Sequence, residues 1–176
     1  SFIRIAQNGN NLLSPEESEN INLGILWKPS ENFDFKIDYW SIDYSNVITI
    51  ESAQGKVIND PLNQDIKRTI DGTLIGVTTK YFNAANVDTN GIDIELSYEN
   101  NTNFGLLNVG LRGTHILEYE IPGSNGSAID VVGLFNHDNF ARSLPETKIV
   151  LNTSLSNNNH TVALYGRYVS DYSTTR

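Results

Sequence analysis

The sequence predicts an all-β protein: an antiparallel, up-and-down segment of a transmembrane β-barrel, about six long strands wide and open as a fragment. Three observations predict it. Apolar and polar residues alternate with period two along most of the chain. The connections between these runs are short and long in turn. The runs exceed ordinary globular strands and carry aromatic residues near their ends. No run of about 18 apolar residues exists, so a membrane crossing by helix is not available; a barrel crosses with strands and shows no such run.

Taken in order, residues 1–18 read as irregular, with turn material at Asn8-Gly9-Asn10-Asn11. Ile21, Leu23, Ile25 and Trp27 then alternate with Asn20, Asn22, Gly24 and Lys28, broken once by Leu26. Pro29-Ser30-Glu31-Asn32 is a short turn. Phe33, Phe35, Ile37 and Tyr39 alternate with Asp34, Lys36 and Asp38, after which the apolar parity slips to Trp40, Ile42 and Tyr44. The slip implies either a bulge near Tyr39-Trp40 or a strand that has left its apolar environment. Val47–Ile50 extends this strand, and residues 52–73 form a long polar connection.

The next strand runs from about Leu74, interrupted around Asn83–Asn86, to Tyr98. In it Ile92, Ile94, Leu96 and Tyr98 take one face, and Asp93, Glu95 and Ser97 take the other. After the turn at 99–103, Leu107, Val109, Leu111, Leu117 and Tyr119 oppose Asn108, Gly110, Arg112, Thr114, Glu118 and Glu120. Ile116 and His115 are out of step. Residues 121–143 make a second long connection, in which a single turn of helix fits Gly133–Asn139; no helix is needed elsewhere. Ile149, Leu151 and Leu155 oppose Lys148, Asn152 and Ser154. Beyond the turn at 157–159, Val162, Leu164 and Tyr168 oppose Ala163, Tyr165 and Arg167.

The loop rhythm separates two architectures. A soluble two-layer β-domain accommodates the same alternation, but nothing in it makes every second connection long. In an outer-membrane barrel, short turns face one side and long loops the other. The 13 residues Val87–Glu99 would rise on the order of 30 Å when tilted, enough for an apolar band about 25 Å tall.

Composition excludes several functions. The net charge of -9 argues against binding a phosphate backbone, so no nucleic-acid partner is expected. With no cysteine there is no disulfide, thiolate metal site or cysteine nucleophile. His115, His137 and His160 lack ligand-like spacing, so no metal is expected. Asp93 and Glu95 share a face as an acid/base or cation-binding pair would, but hydrated carboxylates are ordinary on the lumen side of a barrel. Arg112 and Arg167 fit the same lumen-facing role. No nucleophile elbow or phosphate loop is present, and no catalytic residue or cofactor is expected.

Three stretches carry a family likeness. The first is Asn11-Leu12-Leu13-Ser14-Pro15-Glu16-Glu17-Ser18, leading into Leu23–Pro29. The second is Asp38–Asp43 through Asn46-Val47-Ile48, and the third is Tyr81-Phe82-Asn83 to Gly91-Ile92-Asp93. Ser143-Leu144-Pro145 and Arg167-Tyr168-Val169 add to it. In this order they resemble the C-terminal part of the β-barrel of TonB-dependent outer-membrane receptors, with its N-x-L-x-P-E-x-S approach and its N-x7-G-[IV]-[DE] strand. The likeness extends over residues 1–176 as a partial barrel without a plug domain. The family's plug, TonB-contacting segment and remaining strands, out of about 22, fall outside these residues, which read as a piece of a longer protein.

The resemblance implies a Gram-negative outer-membrane location. It also implies active import of a scarce solute of the siderophore, vitamin or oligosaccharide class, driven by energy passed through TonB. The partners implied are membrane lipid, the receptor's own plug and remaining strands, TonB and a small-molecule ligand. Ile92, Ile94, Leu96 and Tyr98 would then meet lipid, while Asp93, Glu95, Arg112 and Arg167 face the lumen. Tyr81, Phe82, Asn83 and Asn86, with His137 and Asp138 of the second loop, become candidate ligand contacts. A passive porin and a soluble β-rich binding module are the competing functions.

Overall fold

The computed structural model describes residues 3–84, 86–122, 128–135 and 144–174. In chain order it forms β1 (Arg4–Asn8), β2 (Glu17–Ser30), β3 (Phe33–Ser45), β4 (Ile48–Ile50), α1 (Ala53–Asn59), β5 (Ile66–Arg68), β6 (Leu74–Asn83) and β7 (Val87–Thr102). Then come β8 (Gly105–Pro122), β9 (Ala128–Asp130), β10 (Leu134–Phe135), β11 (Thr147–Asn157), β12 (His160–Val169) and β13 (Ser173–Thr174). The chain divides into two units. One gathers the described residues up to Ser18, those of Tyr44–Asn86, and Pro122 and Ala128; the other gathers Glu19–Asp43, Val87–Ile121 and the described residues from Ile129 onward.

The larger unit is a wall of long strands in the order β12-β11-β8-β7-β3-β2, with β9 added beside β8. These six are the six strands expected from the alternation, and sequential neighbours pair as an up-and-down sheet should. Directly opposed residues share a face, so the registers carry each face across the sheet. Ile94 lies opposite Gly113, Gly113 opposite Ile149, and Ile149 opposite Tyr168. Glu95 lies opposite Arg112, Arg112 opposite Val150, and Val150 opposite Arg167. The apolar and polar faces of the strands therefore coincide. β2 and β12 are edges, and their apolar side chains are exposed: Leu23 by 70% and Val162 by 71%. A sheet with two such edges is incomplete as a barrel.

Two parity problems find physical answers. The register of β7 on β8 shifts between Asn90 and Gly91, so that Gly91 pairs with Ile116 but Asn90 with Glu118. Leu117 is the extra residue of a bulge in β8, which puts Tyr119 on the face of Ile116 and Thr114, and Glu118 and Glu120 on the face of Leu111, the reverse of the expected assignment. The slip in β3 has a different cause. A Cβ on Gly91 would meet the Trp40 indole at 2.6 Å, so Trp40 lies on the Gly91 face, with Lys36 and Asp38. The even positions of β3 thus keep one face, and it is the environment that changes above Tyr39.

Above the β8 bulge the faces exchange character. Asp88 and Asn90, opposite Glu120 and Glu118, now occupy the face that carried Ile92 and Ile94. Ile121, Val131 and Leu144 are buried on the other side, with Val87, Ile116 and Tyr119 packed against them.

The smaller unit corrects the expectation more substantially. Residues 4–8, read as irregular, form β1 and pair in parallel with β6 through registers such as Ile5 with Val77. Such a short strand exists because β6 is there to receive it, which is tertiary context rather than propensity. β6 does not extend β7. It belongs to a separate sheet in the order β1-β6-β4, with β5 also on β6, and Gly76, Val77 and Thr79 are its buried residues. A helix does form in the first long connection: Ser52 caps α1, its hydroxyl accepting from the Gly55 N–H at 3.0 Å. At seven residues α1 is too short to show a helical period. In the second connection, Leu134–Phe135 is a strand parallel to β13 rather than the start of a helix; Asn136–Asn139 lie outside the described residues.

Candidate functional site

The polar face of the wall is a charge ladder. Arg112 donates to Glu95 from Nε at 2.9 Å and from a terminal nitrogen at 2.7 Å. The Thr114 hydroxyl donates to Asp93 at 2.6 Å. On β3, Lys36 pairs with Asp38 at 2.7 Å. Asp93 and Glu95 are thus held by separate cross-strand partners and do not share a proton or a cation. Lys148 stands opposite Thr114 and Arg167 opposite Val150, and among the described residues neither has a carboxylate partner. All of these side chains except that of Arg167 line a shallow depression in the sheet.

The smaller unit holds two organised clusters, both outside the alternating strands. In the first, the Glu16 carboxylate accepts from the Ile48 N–H at 2.7 Å and from the Tyr44 hydroxyl at 3.1 Å. The Asn83 amide donates to the Ser14 carbonyl at 3.0 Å and to the Asn46 carbonyl at 2.7 Å, and its oxygen accepts from the Ser14 N–H at 2.8 Å. Asn46 sits at φ 56°, a left-handed conformation that asparagine tolerates. Two motif residues far apart in sequence, Glu16 and Asn83, therefore clasp one turn.

In the second cluster, Lys56 donates to Glu51 at 2.5 Å, to Asp65 at 2.9 Å and to the Thr78 carbonyl at 3.3 Å. Its side chain is only 10% exposed. Burial works against its charge, but the bonds to Glu51 and Asp65 outweigh burial and hold the ammonium above the ordinary lysine range. The Lys56 hydrogen bond keeps the Asp65 carboxyl below the ordinary range despite its partial burial. At the β5–β6 hairpin tip, Thr69 and Thr73 hydrogen-bond the Asp71 carboxylate and lower its pKa in the same way.

The residues singled out from the sequence fall in different places. Tyr81 and Phe82 lie on β6, 39% and 41% exposed, opposite Ile50 and Thr49. The Asn83 amide group is taken up by the turn it clasps. Asn86 is exposed. His137 and Asp138 lie outside the described residues, as does Ser143. His115 is on the apolar face of β8, where its Nδ1 lies 2.8 Å from the Thr147 hydroxyl. Among the described residues no group of His, Asp and Glu could hold a metal ion. The Lys56 cluster and the Glu16 clasp were not read from the sequence. The signal for Glu16 was its place in the P-E motif; for Lys56 there was none, because its partners are set by loop geometry.

A family model described as TonB dependent receptor-like, beta-barrel matches residues 2–176. Among curated proteins, none matches. Two solved structures share the fold. The siderophore receptor PirA from Acinetobacter baumannii aligns with a TM-score of 0.56 at 14% identity, over 94% of this chain and 22% of that one. A G324V mutant of the ferric enterobactin receptor PfeA from Pseudomonas aeruginosa aligns with a TM-score of 0.56 at 18% identity, over 91% of this chain and 20% of that one. The chain thus spans about a fifth of the length of either structure.

Proposed function

Because the chain belongs to the TonB-dependent receptor-like β-barrel family of the Gram-negative outer membrane, we propose that it is part of a receptor that binds and imports a scarce solute with energy passed through TonB. A ferric siderophore is the solute class we favour. The family match over residues 2–176 is the observation that carries the reading, and the two structural neighbours, both described as receptors for such compounds, support the solute class. In this reading the depression of the polar face borders the lumen, and the unpaired Lys148 and Arg167 meet carboxylates of the plug. Tyr81, Phe82 and Asn86, with Asn83 as their anchor and His137 and Asp138 on the second loop, contact solute at the outer end. The chain does no chemistry on the solute; it recognises, and the plug gates.

Uptake by the full-length receptor tests this. Cells carrying it as their sole receptor should accumulate a radiolabelled ferric siderophore, and loss of TonB should abolish accumulation. Uptake that survives loss of TonB would mark a passive pore. No uptake of any ferric siderophore, with TonB-dependent uptake of another solute, would overturn the solute class alone.

A further inference from the structure

Three chain segments far apart in sequence converge on Gly133. They are the outgoing limb of the second long connection (residues 129–135), its return limb (residues 144–147) and the stretch that leaves β12 (residues 170–174). The Gly133 N–H donates to the Leu144 carbonyl at 2.7 Å, and the Gly133 carbonyl accepts from the Ser173 N–H at 2.8 Å. The φ of Gly133 is 68°, a left-handed value that glycine adopts without strain. The Leu134 N–H donates to the Val131 carbonyl at 3.1 Å, closing a turn with Gly133 at its third position. This turn joins two attachments. On one side Val131 is fully buried in the small core with Ile121 and Leu144, and its N–H donates to the Tyr119 carbonyl at 2.9 Å, which fixes it to β8. On the other side Leu134 and Phe135 pair in parallel with Ser173 and Thr174.

Ordering residues 170–174 costs little closure entropy, because the wall has already brought them close. The β11–β12 register sets Val169 opposite Lys148, so the chain leaving β12 emerges beside the chain entering β11. There the Ser170 N–H donates to the Thr147 carbonyl at 2.9 Å, and the Ser170 hydroxyl accepts from the Thr147 N–H at 3.1 Å. The return limb is tied to β8 one residue earlier, where the Ile116 N–H donates to the Glu146 carbonyl at 2.8 Å. A parallel pair of two residues per strand is too short to stand alone. It persists only while the Val131 turn holds one strand and the Ser170 bonds hold the other. Loss of either attachment should therefore release both.

We propose that residues 170–174 are a strap that ties the second long connection to the end of β12, so that these two segments of different loops order and open as one body. Whatever displaces one displaces the other, and the coupling is reciprocal. It lies in the backbone of this chain and holds whatever the solute.

Hydrogen exchange of the full-length receptor in phosphatidylcholine vesicles tests the strap from both ends. Val131→Ala shrinks a side chain packed with Ile121 and Leu144, and it should speed exchange of the Ser170 and Ser173 amides on the order of tenfold. Ser173→Pro removes the donor to the Gly133 carbonyl. It should speed exchange of the Val131 and Leu144 amides, neither of which bonds to Ser173, by a comparable factor. The double variant should exchange little faster than either single one. Acceleration confined to the segment that carries the substitution, and merely combined in the double variant, would overturn the proposal. The amides of β11 and β12 are the reference, and their protection should not move. Gly133→Ala replaces any variant that disturbs them, since its Cβ would meet nothing within 4 Å and it adds only backbone strain. It should speed the Val131 and Ser170 amides alike, by about 5- to 30-fold; acceleration of one without the other would overturn the strap.

Discussion

The wall sheet and the small loop unit are ordered by different means. In the wall, order comes from repetition. Every strand alternates, every register passes a face to its neighbour, and a single side chain matters mainly through which face it occupies. In the loop unit, order comes from individual bonds. Few side chains are buried, and its shape rests on what Glu16, Asn83 and Lys56 each hold. A repetitive structure is sensitive to violations of its period, and a bonded one to loss of a particular atom. Substitutions of each kind should therefore separate the two regions.

The largest expected effect breaks the period of the wall. Ile94→Arg puts a charge in the middle of the apolar face of β7 and should cost about 2–4 kcal/mol. Glu95→Gln, one residue along and facing the other way, gives up only an exposed ion pair with Arg112, worth about 0.2–1 kcal/mol. Urea titration of the folded, heat-modifiable form in vesicles measures both. Equal losses would mean that the two faces do not differ in environment.

Next comes a steric test of the bulge. A Cβ on Gly91 would stand 2.6 Å from the Trp40 indole and 2.7 Å from the His115 carbonyl, and the carbonyl is backbone that cannot swing aside. Gly91→Ala should therefore destabilise the wall by about 1–3 kcal/mol. Gly110→Ala is the control, since its Cβ would meet nothing within 4 Å. Gly91 is the glycine of the N-x7-G-[IV]-[DE] strand, so the result also explains why that position requires glycine.

These two regions also differ in how far they could be read beforehand. The six wall strands, and their faces below the Leu117 bulge, were legible because period two is written into residues such as Ile92–Tyr98 and survives without knowledge of partners. The bulge at Leu117 left a visible trace in the adjacent apolar pair Ile116-Leu117, which breaks the alternation. The exchange of faces left one too, in Trp40 and Ile42, but the trace was ambiguous between a kinked backbone and a changed surrounding. The loop unit left almost none. β1 is a strand because β6 lies beside it, α1 depends on one capping serine, and Lys56 finds Asp65 only once the loop has folded. Asn83 is a candidate ligand contact by its position alone; its three backbone bonds depend on Ser14 and Asn46 arriving at the same place.

Asn83→Ala sharpens that point. It removes two donors and one acceptor at a stroke and leaves the Ser14 and Asn46 backbone groups to find water. The expected cost is about 1–2 kcal/mol, confined to the loop unit. Hydrogen exchange should quicken at the Ser14 and Ala84 amides, the latter bonded to the Val47 carbonyl. Protection in β8 and β11 should not change. If it falls too, the two regions do not unfold separately.

The smallest effect, and the most specific, is the pH response of the Lys56 cluster. Asp65 has a folded pKa below its ordinary value, so its contribution is present above the ordinary carboxylate range and is lost as pH falls through the lowered value. Lys56 has a folded pKa above its ordinary value, so its contribution is complete below the ordinary lysine range, about 10.4, and is lost as pH rises through the raised value. Between these limits the cluster adds a constant amount. Exchange protection of α1 and β6, corrected for intrinsic rates, should therefore be flat from about pH 5 to 9 and fall on either side. Lys56→Met should lower the plateau by about 1–2 kcal/mol, because it leaves two carboxylates facing each other across a gap the ammonium had filled. It should also change the sign of the acid limb. Without the ammonium, neighbouring carboxylates repel, and protonating one of them then relieves strain. A variant whose protection still falls below pH 5 as the wild type's does would show that the acid limb belongs to other groups.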